Sequence, residues 1–193
     1  DQAVGIVRCA ADGANDVLAV AQSNGIHVAD LAAQGFTNPA FKQLFLDGRR
    51  LNLARRPNFD PANPYGGGWA YVAGKDVPMY ADRTNDNKRL LPVRDADWGS
   101  WAKPEEGEVF TFARYNWWND ILRITNADPI AHTLALASDA SYAIRPGDRY
   151  YVQGLREELD APGEWYLDRA EKKLLVIPPA PLRDGSITAP VLR

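Results

Sequence analysis

The segment at residues 160–179 places two carboxylates beside an aromatic pair, with Glu164, Trp165, Tyr166 and Asp168 in a predicted β-hairpin. Two carboxyl groups can hydrolyse a glycosidic bond when they lie about 5–5.5 Å apart for retention, or about 6.5–9.5 Å apart for inversion. Glu164 and Asp168 are separated by about 13 Å along one strand, at roughly 3.3 Å per residue. This spacing is too wide for either mechanism, so no catalytic residue is assigned.

Strand alternation predicts a structural role for this segment. Successive side chains of a strand point to opposite faces. Glu164, Tyr166 and Asp168 therefore share one face, and Trp165 and Leu167 share the other. We expect Trp165 and Leu167 to face the core and the two acids to face water.

Other titratable residues are also given structural roles. Glu157, Glu158 and Asp160 flank a turn, where carboxylates commonly accept backbone N–H groups or form salt bridges. Asp148 follows Pro-Gly and is interpreted as a turn residue. His132 begins a predicted strand and is interpreted as a surface or hydrogen-bonded residue, because no neighbouring motif marks it as a base.

Adjacent tryptophans give a stronger indication of ligand binding. If Trp117 and Trp118 lie on a strand, their rings point to opposite faces, so at most one packs inward. An exposed indole can stack on the apolar face of a pyranose, while amides and carboxylates bind its hydroxyl groups. The predicted carbohydrate-binding residues of this segment are Tyr115, Asn116, Trp117, Trp118 and Asp120. Two alternatives stay open: a seam against another domain, because tryptophan is enriched at interfaces, or plain core.

Trp98 and Trp101 lie in a loop that contains glycine, serine and proline. Tryptophan in a loop is usually largely buried, so pinning of the loop is one interpretation. A second carbohydrate platform is the other, and both residues are included among the candidate binding residues.

No metal site or cofactor is assigned. Four acids in the same region could offer oxygen ligands to Ca²⁺, but their spacing does not match an EF-hand. These acids are Asp82, Asp86, Asp95 and Asp97. The sequence holds one cysteine and two histidines, which disfavours a zinc centre.

The elements that position these residues are predicted to be strands. Asp47-Gly48 between alternating apolar residues predicts a hairpin over 43–55, and the Pro- and Gly-rich stretch 57–69 predicts a loop. Residues 28–36 could form one short helical turn ended by Gly35. Further strands are predicted at 108–114, 121–125 and 132–137. Within 144–152, a Pro-Gly turn at 146–147 is predicted to lead into an aromatic strand, and a closing hairpin is predicted at 164–179. Short strands with frequent turns predict an all-β fold with little helix, an antiparallel β-sandwich or barrel-like module.

Composition excludes several classes of function. The 193 residues carry a net charge of −3 and are 46% hydrophobic. A nucleic-acid surface would need a clustered basic face, and a membrane-spanning helix would need about 20 apolar residues in a row. We therefore expect neither nucleic acid nor a membrane as a partner.

Three blocks, at residues 44–58, 109–120 and 147–179, together resemble a region of large carbohydrate-active proteins built on a right-handed parallel β-helix. These proteins include glycoside hydrolases and related polysaccharide-degrading enzymes, in which an all-β module is inserted near the start of the β-helix. The resemblance is strongest in the last block. It departs from the family at 56–58, where Arg-Pro-Asn replaces the usual Arg-Trp-Pro-Asn, and at 116–120, where the family has a longer stretch.

The resemblance implies an accessory role, because the family's catalytic carboxylates are generally carried by the β-helix coils. It implies an N-terminal segment at 1–40 that packs on the module, the module itself at 41–180, and a linker at 181–193 that leads to a β-helix. The implied partners are a poly- or oligosaccharide and the β-helix of the same parent chain, in a secreted or periplasmic bacterial protein. A purely structural module and a stand-alone hydrolase or lyase are the alternatives.

Overall fold

A computed structural model describes residues 4–8, 18–20, 25–82, 86–180 and 186–190, and the fold is all-β. The helical segments within these residues are three short 3-10 turns, Asp95–Asp97, Pro104–Glu106 and Arg156–Glu158. The strands are β1 Val4–Arg8, β2 Leu18–Val20, β3 His27–Asp30, β4 Leu44–Leu46, β5 Arg49–Leu53, β6 Arg55–Arg56, β7 Ala70–Tyr71, β8 Leu90–Pro92, β9 Glu108–Phe112, β10 Asp120–Asp128, β11 Thr133–Leu136, β12 Arg149–Gln153, β13 Glu164–Asp168, β14 Lys173–Ile177 and β15 Ser186–Pro190.

The chain divides into two compact units. Unit 1 comprises Asp1–Ala54 and Leu159–Arg193, and unit 2 comprises Arg55–Glu158. The assignment of 1–40, 41–180 and 181–193 to a packing segment, a module and a linker stays a prediction. Within the part of the chain that the structure describes, no helix has the length and apolar character needed to cross a membrane.

Unit 1 contains an eight-stranded sheet in the order β1-β15-β4-β5-β13-β14-β3-β2. The predicted hairpin is confirmed: β4 and β5 pair antiparallel around Asp47 and Gly48, whose φ values are 50° and 76°. Two consecutive positive φ values fit a two-residue hairpin turn that matches the twist of its strands. The closing hairpin is also confirmed, because β13 and β14 pair antiparallel.

The residues of β13 are buried on both faces of the sheet. Trp165 and Leu167 lie in one apolar cluster, as expected, but Tyr166 lies in a second cluster on the other face. Glu164 is only 2% exposed, so the expectation that this carboxylate faces water is wrong. The reason is that both faces of the sheet are covered at β13, because a second apolar cluster of Ile26, Ala54, Leu159 and Leu175 packs around Tyr166.

The N-terminal part of unit 1 contains a strand where a helical turn was one possibility. Residues 27–30 form β3, which pairs with β14. A hydrogen-bonded turn follows, in which Gly35 has a φ of 85° and donates its N–H to the carbonyl of Ala32. The expected helical turn over 28–36 is therefore wrong for residues 28–30, which belong to β3, whereas residues 31–35 form a turn that ends at Gly35.

Unit 2 contains a seven-stranded sheet in the order β6-β12-β9-β10-β11-β8, with β7 also paired to β12. The predicted strands at 108–114, 121–125 and 132–137 are confirmed, and so is the aromatic strand predicted after the Pro-Gly turn at 146–147, which is β12, Arg149–Gln153. One face of the sheet packs a single apolar core that includes Val109, Leu122, Ile124 and Leu134.

Candidate functional site

Trp117 and Trp118 lie on the loop between β9 and β10, at residues 113–119, which we call the aromatic loop. Both side chains reach the surface, with exposures of 73% and 58%. The expectation that they lie on a strand is wrong, because Arg114 and Asn116 have φ values of 58° and 57° that break the extended backbone. Strand alternation therefore does not apply, and both rings can face solvent together.

Tyr115 connects the exposed rings to the body of unit 2. Its ring meets Tyr142 edge to face, with centroids 5.0 Å apart, and Tyr142 packs against the apolar core. On the other side it contacts Trp117 at 5.6 Å and the exposed Tyr80 at 6.0 Å. We call these three contacting rings, Tyr80, Tyr115 and Trp117, together with the exposed Trp118 that follows Trp117 in the loop, the platform. Edge-to-face aromatic contacts of this kind fix ring orientation as well as burying area.

Asp120 holds the C-terminal end of the aromatic loop. Its carboxylate accepts hydrogen bonds from the backbone N–H of Ser141 at 2.9 Å and from the Ser141 hydroxyl at 2.7 Å. These bonds attach the start of β10 to the residue that precedes Tyr142. The predicted contact of Asp120 with a sugar stays a prediction, and its observed role is to anchor the loop.

Asp148 holds the N-terminal end of the aromatic loop. Its Oδ2 accepts the backbone N–H of Arg114 at 2.9 Å and that of Arg145 at 2.8 Å. Burial raises the pKa of this carboxyl above its ordinary value, although the two N–H bonds act in the opposite direction. The interpretation of Asp148 as a turn residue is correct, and its turn also carries one end of the platform.

Arg145 links the same turn to the segment that carries Tyr80. Its guanidinium is buried and pairs with Asp86 through contacts of 2.6 and 3.2 Å. The hydrogen bond that Arg145 donates to Asp86 raises the pKa of Arg145. Both Arg145 and Arg114 donate to the carbonyl of Met79, at 3.4 and 3.2 Å. The aromatic loop and the segment that carries Tyr80 are therefore held by the same group of hydrogen bonds.

Trp98 and Trp101 are placed against the core of unit 2. Trp98 stacks on His132 with centroids 4.8 Å apart, and His132 Nδ1 lies 2.7 Å from a carboxylate oxygen of Asp95. Trp101 donates its indole N–H to Glu158, which is buried. No ring contact joins these two tryptophans to the platform among the residues that the structure describes. They pin a loop, and their proposed contact with sugar stays a prediction.

Glu157 and Glu164 accept hydrogen bonds from backbone N–H groups. Glu164 Oε2 accepts the N–H groups of Asp160 and Ala161, each at 3.3 Å. Glu157 accepts the N–H of Ala102 at 2.9 Å, as expected for an acid beside a turn. In the described ranges, no group of three or more metal-binding side chains comes together.

A second aromatic group lies on the outward face of the unit 2 sheet and was missed from the sequence. Trp69 contacts three rings, with centroid distances of 5.3 to 6.2 Å, and these rings belong to Tyr151, Phe112 and Phe110. Two guanidinium groups lie over the same rings, those of Arg55 and Arg149. The alternation of Phe110 with Phe112 was the available signal, but a pattern of period two does not say which face is the core.

Comparisons with known proteins give one structural likeness. No protein-family model matches the chain, and no curated protein matches it. A solved structure described as "Glycoside hydrolase" superimposes with a TM-score of 0.57 and 17% sequence identity. The match covers 97% of this chain and 31% of that chain, so this chain spans about a third of the length of the protein that it resembles. The chain therefore has a fold like part of a glycoside hydrolase.

Proposed function

We propose that this chain is a non-catalytic accessory module of a polysaccharide-degrading enzyme and that it binds glycan through the platform. The observation that carries the proposal is the exposure of Trp117 and Trp118 at 73% and 58% on a loop held at both ends. Large apolar rings left in water on an anchored loop are typical of a binding surface. The bound chain would be a poly- or oligosaccharide.

The chemistry of the platform suits a pyranose ring. The C–H groups on one face of the sugar are apolar and pack on an indole, while the sugar hydroxyls need hydrogen-bonding partners. Asn116 and Asn119 are exposed on the same loop and offer amide donors and acceptors. Because the loop is fixed before binding, less conformational entropy is lost when the sugar binds.

The likeness to a glycoside hydrolase supports a carbohydrate-related parent protein. In this proposal the parent carries a right-handed β-helix that holds the catalytic carboxylates, and it is secreted or periplasmic. The acids of β13 do not favour catalysis by the chain itself, since Glu164 is buried and accepts two backbone N–H groups.

Affinity electrophoresis on gels that contain polysaccharides tests the binding. We expect at least one polysaccharide to retard the protein, and each of Trp117→Ala and Trp118→Ala to weaken that retardation about tenfold, which corresponds to about 1.4 kcal/mol. Tyr65→Ala is the matched control, because Tyr65 is an exposed aromatic ring on another loop of unit 2. Equal retardation of the wild type and all variants would show that the platform does not bind the polysaccharide.

A second candidate is a structural module whose platform packs against another domain of the parent. The same exposed rings favour it, because tryptophan is enriched at protein interfaces. It predicts that no polysaccharide retards the protein. It also predicts that acrylamide quenches the tryptophan fluorescence equally with and without glycan.

A further inference from the structure

The outward face of the unit 2 sheet carries a ladder of alternating arginines and aromatic rings. Arg149 and Tyr151 on β12 lie opposite Phe112 and Phe110 on β9. On its other edge, β12 pairs with β7, which places Tyr71 opposite Arg149. The neighbours of these residues along the strands, such as Tyr150 and Val109, are buried in the core, so the ladder faces away from it.

The rings form a fixed floor for the ladder. Phe110 and Tyr151 stack almost in parallel, with centroids 4.8 Å apart and an angle of 8°. Trp69 lies against both of them and against Phe112. Each of these four rings contacts at least two of the others, so together they form one continuous aromatic surface beneath Arg55 and Arg149.

Arg55 is a structural member of the ladder. Its guanidinium lies 3.5 Å from the ring centroid of Tyr151. Its N–H groups donate to the carbonyl groups of Pro57 and Gly68. These bonds tie the loop that follows β6 to the sheet and occupy the donors of Arg55.

Arg149 and Arg94 differ from Arg55 in having unused donors. The guanidinium of Arg149 lies 4.2 Å from the ring centroid of Phe112 and 4.8 Å from that of Trp69. Its guanidinium makes no hydrogen bond or ion pair to another described residue. Its Nε is buried, so the donors that a ligand can reach are its terminal N–H groups. Arg94 is exposed and lies 5.6 Å over Tyr71, and its side chain likewise has no such partner in the described part of the chain.

We propose that Arg94, Tyr71, Arg149 and Trp69 form a second binding site, one for an acidic polysaccharide. Cations with unused N–H groups are complementary to carboxylate or sulfate groups, which arginine can bind through two parallel hydrogen bonds. The rings between them offer apolar faces for the sugar rings that carry those groups. The site goes beyond the proposed function, because none of its residues belongs to the platform.

The net negative charge of the chain disfavours general binding of polyanions. At a net charge of −3, the protein does not attract polyanions in general. Two unpaired arginines set among aromatic rings also fall short of the long basic stripe that nucleic acids require. Retention of an acidic polymer therefore has to come from a local cluster such as this one.

Affinity electrophoresis with polygalacturonate and with its methyl ester tests the proposal, because the two polymers share a backbone and differ in charge. We expect the wild-type protein to be retarded by polygalacturonate and much less by the ester. Arg94→Gln and Arg149→Gln should each weaken the retardation about tenfold, the effect of losing one charge-assisted hydrogen bond worth about 1.4 kcal/mol. Arg169→Gln removes the same charge from an exposed turn of unit 1 and should have no effect. Retention by heparin but not by polygalacturonate would assign the site to sulfate groups.

Three results would overturn the proposal: equal retardation of the arginine variants and the wild type, equal retardation by the acid and its ester, or stronger retention by single-stranded DNA than by any acidic polysaccharide. Arg94 is exposed and has no bond to lose, so its variant is expected to fold even if Arg149→Gln does not. The tryptophan variants separate the two sites. Loss of neutral-glycan binding in Trp117→Ala with retention of polygalacturonate would leave both proposals standing independently.

Discussion

Arg114 and Asn116 determine where the two tryptophans point. Both residues have left-handed backbone conformations, with φ near 57°. Asparagine adopts this conformation readily, but arginine does so at a cost. The hydrogen bond from the Arg114 N–H to Asp148 and that from its Nε to Met79 offset this cost. The aromatic composition of the loop was readable from the sequence, but the conformation of Arg114 is supported by Asp148 and Met79, which are distant along the chain.

The burial of Glu164 leads to a prediction about stability. Glu164→Ala leaves the N–H groups of Asp160 and Ala161 without this acceptor, and a lost hydrogen bond costs about 0.5–1.5 kcal/mol, more when the acceptor is charged. Glu164→Gln keeps an acceptor oxygen and should cost less. Urea denaturation of both variants measures the difference in the free energy of unfolding. Equal stability of Glu164→Ala and the wild type would show that these bonds do not support the fold.

The pKa values of two aspartates are shifted in opposite directions from the ordinary value of 3.8. Burial raises the pKa of Asp148, whereas N–H bonds from Ala131 and Ile130 lower that of Asp128. Native Asp148 therefore binds a proton before the unfolded chain does, so between 3.8 and its raised pKa its contribution to stability falls as the pH rises. The contribution of Asp128 is present above 3.8 and is lost as the pH falls through its lowered pKa.

Carboxyl ¹³C NMR titration measures both values directly. We expect the resonance of Asp148 to titrate at a higher pH than that of Asp128. The reverse order would contradict the burial of Asp148 and the support that it gives to the aromatic loop.

At the scale of elements, local sequence patterns predicted the hairpins but not the pairing of strands that are distant along the chain. Asp47-Gly48 specifies its own turn, so the pairing of β4 with β5 could be read directly from the residues. The parallel pairing of β5 with β13 brings Asn52 beside Glu164 in sequence-distant strands, and no local pattern indicates it. Alternation gave the wrong surroundings for Glu164 and Tyr166 because distant segments, including Ile26 and Leu159, cover the face of β13 that carries them.

The β4–β5 turn allows a test of this reasoning. A Cβ added at Gly48 meets no atom within 4 Å, so Gly48→Ala adds only backbone strain at a φ of 76°. We expect a loss of about 1 kcal/mol in the free energy of unfolding, because a left-handed conformation costs a non-glycine residue roughly that amount. Gly48→Asn should lose less, since asparagine tolerates this conformation. Chemical denaturation of the two variants gives the comparison, and equal losses would contradict a purely conformational cost.

At the scale of the whole molecule, the all-β class was predictable because it is the sum of many local signals. Turns every few residues and alternating apolar positions recur along most of the chain, and the seven- and eight-stranded sheets agree with them. The division into units at Ala54 and Leu159 was not predictable, because it depends on which distant strands pair. The likeness to part of a glycoside hydrolase agrees with the resemblance seen in three sequence blocks, at the level of the fold.

The central claim is that glycan contacts the platform. The chain has six tryptophans, and the N–H group of each indole side chain gives its own ¹H–¹⁵N NMR signal. Titration with the polysaccharide fragment that retards the protein most should move the signals of Trp117 and Trp118 and leave that of the buried Trp165 in place. Unchanged signals of Trp117 and Trp118 in the presence of saturating glycan would contradict the account.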